Sequence, residues 1–97
     1  MAKFFRAENG IAWLEISWFA LYAYSGNATP TCDECLKSLI GIENVVLIPL
    51  LNEAFCPECG PKRVSNCKNY PEDRHIAQRR EQFWLDYFGL HVVEGVN

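Results

Sequence analysis

Five cysteines stand among 97 residues, and four of them form two pairs, Cys32-Asp33-Glu34-Cys35 and Cys56-Pro57-Glu58-Cys59. The pattern is C-x2-C-x20-C-x2-C. A two-residue spacer lets both sulfurs of one turn face a single ion, and a second such turn across a hairpin completes a tetrahedron of thiolates. That chemistry is metal binding. A closed set of four thiolates leaves no position for water or substrate, so the expected ion is one structural Zn2+ held by Cys32, Cys35, Cys56 and Cys59. Iron in the same site, or a redox dithiol, are the alternatives. Gly60 follows the second pair, where the lack of a Cβ lets the turn close with backbone N–H groups directed at sulfur. Cys67 is the odd cysteine, expected as a half-buried thiol outside the site; an extra or replacement ligand, with His75, is the other reading.

These residues resemble the zinc-ribbon family over about residues 32–60, and the Cys56-Pro57-Glu58-Cys59-Gly60 turn is similar to that of rubredoxins. The ribbon resemblance implies a fold element and a structural zinc on the same four cysteines. A rubredoxin-like electron carrier is what the second likeness implies. Leu36, however, stands where the first rubredoxin turn carries glycine.

No catalytic constellation accompanies the cysteines. His75 and His91 have no nucleophile or carboxylate at a recognisable catalytic spacing, and the chain has no Gly-rich phosphate loop, His-Glu-x-x-His or Gly-x-Ser-x-Gly. The chain is therefore expected not to be an enzyme.

Nine Lys and Arg against twelve Asp and Glu give a formal charge of −3, the wrong sign for a protein whose main work is gripping phosphate backbones. The charges are unevenly spread: residues 1–60 carry three basic and seven acidic side chains, residues 61–97 six and five. No apolar run approaches the roughly 18 residues that cross a bilayer. Glu8 and Glu15 interrupt the apolar stretch that follows Lys3 and Arg6, which argues against a signal peptide. A cytoplasmic protein with reduced cysteines and no membrane partner is expected.

The cysteines need elements to position them, and the pattern points to one α+β domain over 1–97. Residues 1–31 are expected as an N-terminal hairpin or small antiparallel sheet, with Asn9-Gly10 as a type I′ turn. Residues 11–24 read as strand, since Trp, Phe, Tyr and Ile dominate and Glu15 and Ser17 sit two apart; a helix capped by Asn9 and ended by Gly26 is the alternative. Residues 25–31 are loop. Residues 36–40 and 45–51 read as strands of the ribbon, the second an edge or bulged strand at Pro49, and the chain then returns through Ala54-Phe55 to Cys56. Residues 60–68 are expected as polar loop. An amphipathic helix opens at Pro71, spans 71–88 and stops at Gly89, with Ile76, Arg80, Phe83 and Tyr87 on one stripe beside Ala77, Trp84 and Phe88. A short tail, 91–97, follows.

Three functions fit this frame. The first is a non-enzymatic, zinc-stabilised protein-binding module, an adaptor or inhibitor docking on a larger complex, with an acidic front at Asp33, Glu34, Glu53 and Glu58. One concrete form is a phage- or plasmid-borne inhibitor of host nucleic-acid-handling machinery. Trp13, Trp18, Phe19, Tyr22 and Tyr24 are more large aromatics than so small a core readily hides; most are expected in the core against the C-terminal helix, any excess marking an interface or a homodimer. The second is a nucleic-acid-binding ribbon using Lys62, Arg63, Lys68, Arg74, Arg79 and Arg80, with Tyr70 and Trp84 to stack bases. The third is the electron carrier. The first is the leading expectation.

Overall fold

The computed structural model describes residues 2–90 and has the expected α+β architecture, a four-stranded antiparallel sheet with three α-helices among the described residues. The strands are β1 (Lys3–Arg6), β2 (Ala12–Ile16), β3 (Val45–Ile48) and β4 (Glu53–Phe55), side by side in chain order. The helices are α1 (Trp18–Tyr24), α2 (Cys59–Asn66) and α3 (Arg74–Phe88), the last entered through a 3-10 turn, Pro71–Asp73. The expected tail 91–97 lies outside the described residues.

The first hairpin forms where Asn9-Gly10 placed it, but not with a type I′ turn. Ala7 N donates to Ile11 O and Gly10 N to Ala7 O, both at 2.9 Å, and only Gly10, with φ 86°, is left-handed. This is a three-residue loop, a type I turn closed by a left-handed glycine. Asn9 keeps an ordinary backbone and uses its side chain instead, its Nδ2 donating to Val64 O at 2.9 Å and its Oδ1 accepting from Ile11 N at 3.0 Å. The hairpin turn thereby satisfies a carbonyl at the end of α2.

The ambiguous segment 11–24 resolves into both elements. Alternating burial holds through Ile16, with Ala12, Leu14 and Ile16 inward, and then stops. Ser17 is extended and its Oγ accepts from Ala20 N at 3.3 Å, so a serine N-cap turns the remaining aromatic run into α1. The expectation of strand through Tyr24 missed that cap. Residues 36–40 also differ from expectation: a single bridge, Thr31 to Ser38, stands where a strand was expected.

All four residues of β3 are buried because both faces of the sheet are covered there. Val46, with Phe55 opposite it, faces α2, while Leu47 and Ala54 share a crevice with Leu21 of α1 and Trp84 of α3. This continuous apolar run is the signature of a doubly covered strand. Pro49 is therefore not on an edge. It follows the last ladder residue and opens a turn in which Asn52 N donates to Ile48 O at 2.8 Å, so its missing N–H breaks no strand pairing.

Two helical regions also differ from expectation. Residues 59–66 are helical where a polar loop was expected; Gly60 and Val64 are the buried residues of α2, and Pro61 in the first turn needs no N–H. On α3 the expected stripe is only partly covered: Trp84 is buried, Ile76, Ala77 and Phe88 are half-buried, and Arg80, Phe83 and Tyr87 are exposed. Trp84 and Phe88 seat the helix on the core, and side-chain ties add to that packing. Arg6 pairs with Glu81 at 3.0 Å, Arg80 donates to Leu50 O and the Trp84 indole donates to Asn52 Oδ1 at 3.4 Å. Gly89 ends it with φ 66°, as expected.

The aromatic residues were expected mostly inside, and the structure bears this out only in part: Trp13 and Trp18 pack half-buried against the core, while Phe19 and Tyr24 are exposed. None of Trp13, Trp18, Phe19, Tyr22 and Tyr24 is buried. Aliphatic side chains from β2 and β3, with Leu39 and Phe55, already fill the interior. Trp13 stacks on Phe5 across the hairpin with ring centroids 4.4 Å apart, Trp18, Phe19 and Tyr22 pack on one another, and Tyr24 reaches α3.

Candidate metal centre

The first cysteine pair sits in a tight loop pinned at its base. Cys32 N donates to Lys37 O at 2.9 Å and Leu36 N to Cys32 O at 2.8 Å. The second pair lies where β4 gives way to α2: Cys56 directly follows the strand, Gly60 N donates to Cys56 O at 2.8 Å, and Cys59 is the first residue of the helix. The two turns share a backbone bond but leave differently. Leu36 exits in the left-handed region at φ 66°, whereas Gly60 continues a right-handed helix.

Gly60 therefore has a role other than freeing a turn. A Cβ built there would stand 2.4 Å from Val46 Cγ2, so its absence lets α2 lie directly on β3. Leu36, the non-glycine, is the residue that bears the strained conformation, and it is 73% exposed.

The Sγ atoms of Cys32, Cys35, Cys56 and Cys59 all lie within 4.8 Å of one another, with Cys35 and Cys56 at 4.0 Å. A tetrahedron of Zn–S bonds of about 2.3 Å has edges of roughly 3.8 Å, so the cluster closes on such an ion with shifts of about 1 Å or less. The four cysteines are positioned to bind a metal ion. Cys32 and Cys56 are fully buried, Cys59 is half-buried and Cys35 is exposed.

Backbone N–H groups are directed at two of the sulfurs. Glu34 N and Cys35 N approach Cys32 Sγ at 3.4 and 3.5 Å, and Cys59 N approaches Cys56 Sγ at 3.4 Å. Burial pushes the Cys32 thiol up, but the N–H groups of Cys35, Cys56 and Glu34 and the Cys35 thiol outweigh it and bring it down to about 6. Cys59 moves the other way, to about 12, because its thiol donates to Cys56, is desolvated and sits beside other sulfurs. Cys32 and Cys59 thus lie on opposite sides of the ordinary thiol value, and a divalent ion held by Cys32, Cys35, Cys56 and Cys59 would displace the protons of its ligands. Cys56 and Cys59 also stand at the positive end of the α2 dipole. The Lys37 ammonium is held above its ordinary value by Cys56 first and then by Glu58, with which it pairs at 3.5 Å.

Asp33 binds the two halves together. Its N donates to Ala54 O at 2.9 Å and its Oδ2 accepts from Ala54 N at 2.8 Å. Of the expected acidic front, Asp33 is exposed like its neighbours but has one carboxylate oxygen engaged by Ala54 N. Glu34 and Glu58 are exposed beside the cysteines, and Glu53 is half-buried on β4. Lys37 and the clamping role of Asp33 were missed by the sequence reading. The signal for both was their place within or two residues beyond the first pair.

The basic residues do not form one stripe. Lys62 and Arg63 lie on α2, Lys68 follows it, and Arg74, Arg79 and Arg80 are exposed on α3. Arg63, Lys68, Arg80 and Tyr70 line one groove, Arg79 and Arg80 an adjoining one, and Arg74 a third beside Glu81. Cys67 is buried at the end of α2 and stands outside the metal cluster. Burial pushes its thiol up, the Arg63 charge opposing and the Glu53 charge adding to it. His75 is exposed; His91 lies outside the described residues. No helix among the described residues is long and apolar enough to cross a membrane. No family model, curated protein or solved structure matches the chain.

Proposed function

We propose that the chain is a non-enzymatic, zinc-stabilised protein-binding module of the cytoplasm. The observation that carries this reading is α1: its sequence is Trp-Phe-Ala-Leu-Tyr-Ala-Tyr, and not one of its residues is buried. Phe19 is 59% and Tyr24 44% exposed, and Phe83 and Tyr87 of α3 extend the same character. Trp18 and Leu21 seat α1 on the core, and the exposed rings that remain, Phe19, Tyr24, Phe83 and Tyr87, have the composition of a binding surface.

Zinc suits a closed set of reduced thiolates and supplies a cross-link, not a reaction. It ties the loop before β3 to the start of α2, so the surfaces around the sheet are set by the metal. One form of this reading is a phage- or plasmid-borne inhibitor that docks on host nucleic-acid-handling machinery, with Glu34 and Glu58 supporting an acidic face.

Affinity capture from a bacterial lysate, with and without nuclease, tests the proposal. The expected result is a stable partner that survives nuclease and is lost from a Phe19→Ser, Tyr22→Ser chain that retains its metal. A partner lost on nuclease treatment would contradict it and bring the nucleic-acid reading, through Arg63, Lys68, Arg79 and Arg80, to the front.

A further inference from the structure

We infer that the groove between the end of α1, the β3–β4 turn and α3 takes a short acidic peptide segment anchored by one large apolar side chain. This deepens the protein-binding proposal and rests on it. The groove has a volume of about 500 Å³, walled by Tyr24, Ile76, Phe83 and Trp84 with Arg79 and Arg80 at its rim. That is the size of a site for one bulky side chain and its neighbours.

The rings decide between classes of occupant. Tyr24 meets Phe83 at 72° and Trp84 at 59°, and Phe83 meets Trp84 at 84°. Rings packed edge to face make the walls of a notch, which admits an inserted side chain; bases need open, parallel faces on which to stack. The floor is fixed, because Trp84 is 3% exposed and its indole donates to Asn52 Oδ1. Little ordering is then left to oppose binding.

Charge selects the peptide. Arg79 has no ion pair or side-chain hydrogen bond among the described residues, and Arg80 donates to the Leu50 carbonyl, which leaves its charge unneutralised. Two guanidinium groups beside an apolar notch favour carboxylates flanking the anchor. The overall charge of −3 opposes a long polyanion much more than a short segment with a few carboxylates.

A displayed library of random peptides, selected on the metal-loaded full chain, tests this. Enrichment of sequences that place Asp or Glu within a few positions of Trp, Phe or Leu is expected. A synthetic peptide of that consensus should bind Arg79→Glu about tenfold or more weakly and Lys62→Glu, altered outside the groove, as it binds the parent chain. Absence of enrichment, enrichment of neutral or basic sequences, or affinity indifferent to Arg79 would overturn the inference. So would oligothymidine binding that Arg79→Glu abolishes, or a concentration-dependent dimer that Arg79→Glu dissolves, since nucleic acid or a second copy would then be the occupant. A lysate partner still captured by Arg79→Glu leaves the binding proposal standing and removes this groove from it. Acidic aromatic peptides that bind while no lysate protein is captured would remove the binding proposal alone.

Discussion

Asp33 and Ala54 hold each other by two hydrogen bonds, Asp33 N to Ala54 O at 2.9 Å and Ala54 N to Asp33 Oδ2 at 2.8 Å. The pair fastens the loop bearing Cys32 and Cys35 to the strand that delivers Cys56. Half of the metal centre is thus aligned on the other half by backbone and carboxylate, not by the ion alone. Asp33→Ala removes the side-chain bond and leaves Ala54 N without its acceptor, so zinc affinity should fall by about ten- to a hundredfold in a competitive chelator titration, with the stoichiometry unchanged. An unaltered affinity would show that Asp33 orders nothing the metal needs.

Gly60→Ala introduces a Cβ 2.4 Å from Val46 Cγ2. The helix must lift from β3 or Val46 must move, at a cost of about 1–3 kcal/mol read as a lower denaturation midpoint of the metal-loaded protein. The double variant Gly60→Ala, Val46→Ala should recover part of that loss, because it removes the atoms in conflict. Equal losses that simply add would contradict this contact.

Leu36→Gly should do the opposite. Leu36 sits at φ 66° with 73% of its surface exposed, so it bears backbone strain and loses little packing when truncated. Relief of about 1–2 kcal/mol of strain, less the greater flexibility of glycine in the unfolded chain, leaves a gain of about 0.5–1 kcal/mol in thermal unfolding. A destabilised variant would mean that the leucine side chain makes a contact worth more than the strain.

Cys67 gives a pH dependence. Burial raises its thiol above the ordinary value of 9.0, so the folded state binds this proton more tightly than the unfolded chain does. Its contribution is complete below pH 9 and is lost as the pH rises toward the folded-state value. Stability measured in urea should fall above about pH 9, and less steeply in Cys67→Ala, which has no thiol there to ionise. Identical alkaline slopes would place the ionising group elsewhere.

What the sequence disclosed divides along physical lines. The four-cysteine cluster was legible because ligand spacing is short-range: two residues between cysteines fix a turn whatever the rest of the chain does. The α+β fold and the helix ending at Gly89 were legible for the same reason, through a local stop signal. Burial was not. The hydrophobic pattern of 11–24 fits strand and helix equally until Ser17 is recognised as a cap, and Pro49 marks an edge only if it lies within a ladder. Residues 60–68 looked like loop because α2 buries few side chains, and a glycine chosen for close approach to Val46 resembles one chosen for a turn. The aromatic residues misled in the other direction: their apolarity suggests a core that Leu14, Ile16, Phe55 and β3 already occupy.

On the proposed reading, one zinc ion on four thiolates holds the scaffold together. Native mass spectrometry of the purified chain tests it most directly, run beside Cys56→Ser and Cys67→Ser. One zinc per chain is expected in the parent and in Cys67→Ser, and no bound zinc with a broad, unfolded charge distribution in Cys56→Ser, since such a site contributes on the order of 10 kcal/mol to folding. Iron in the parent, a metal-free chain with paired disulfides, or loss of metal from Cys67→Ser would contradict it.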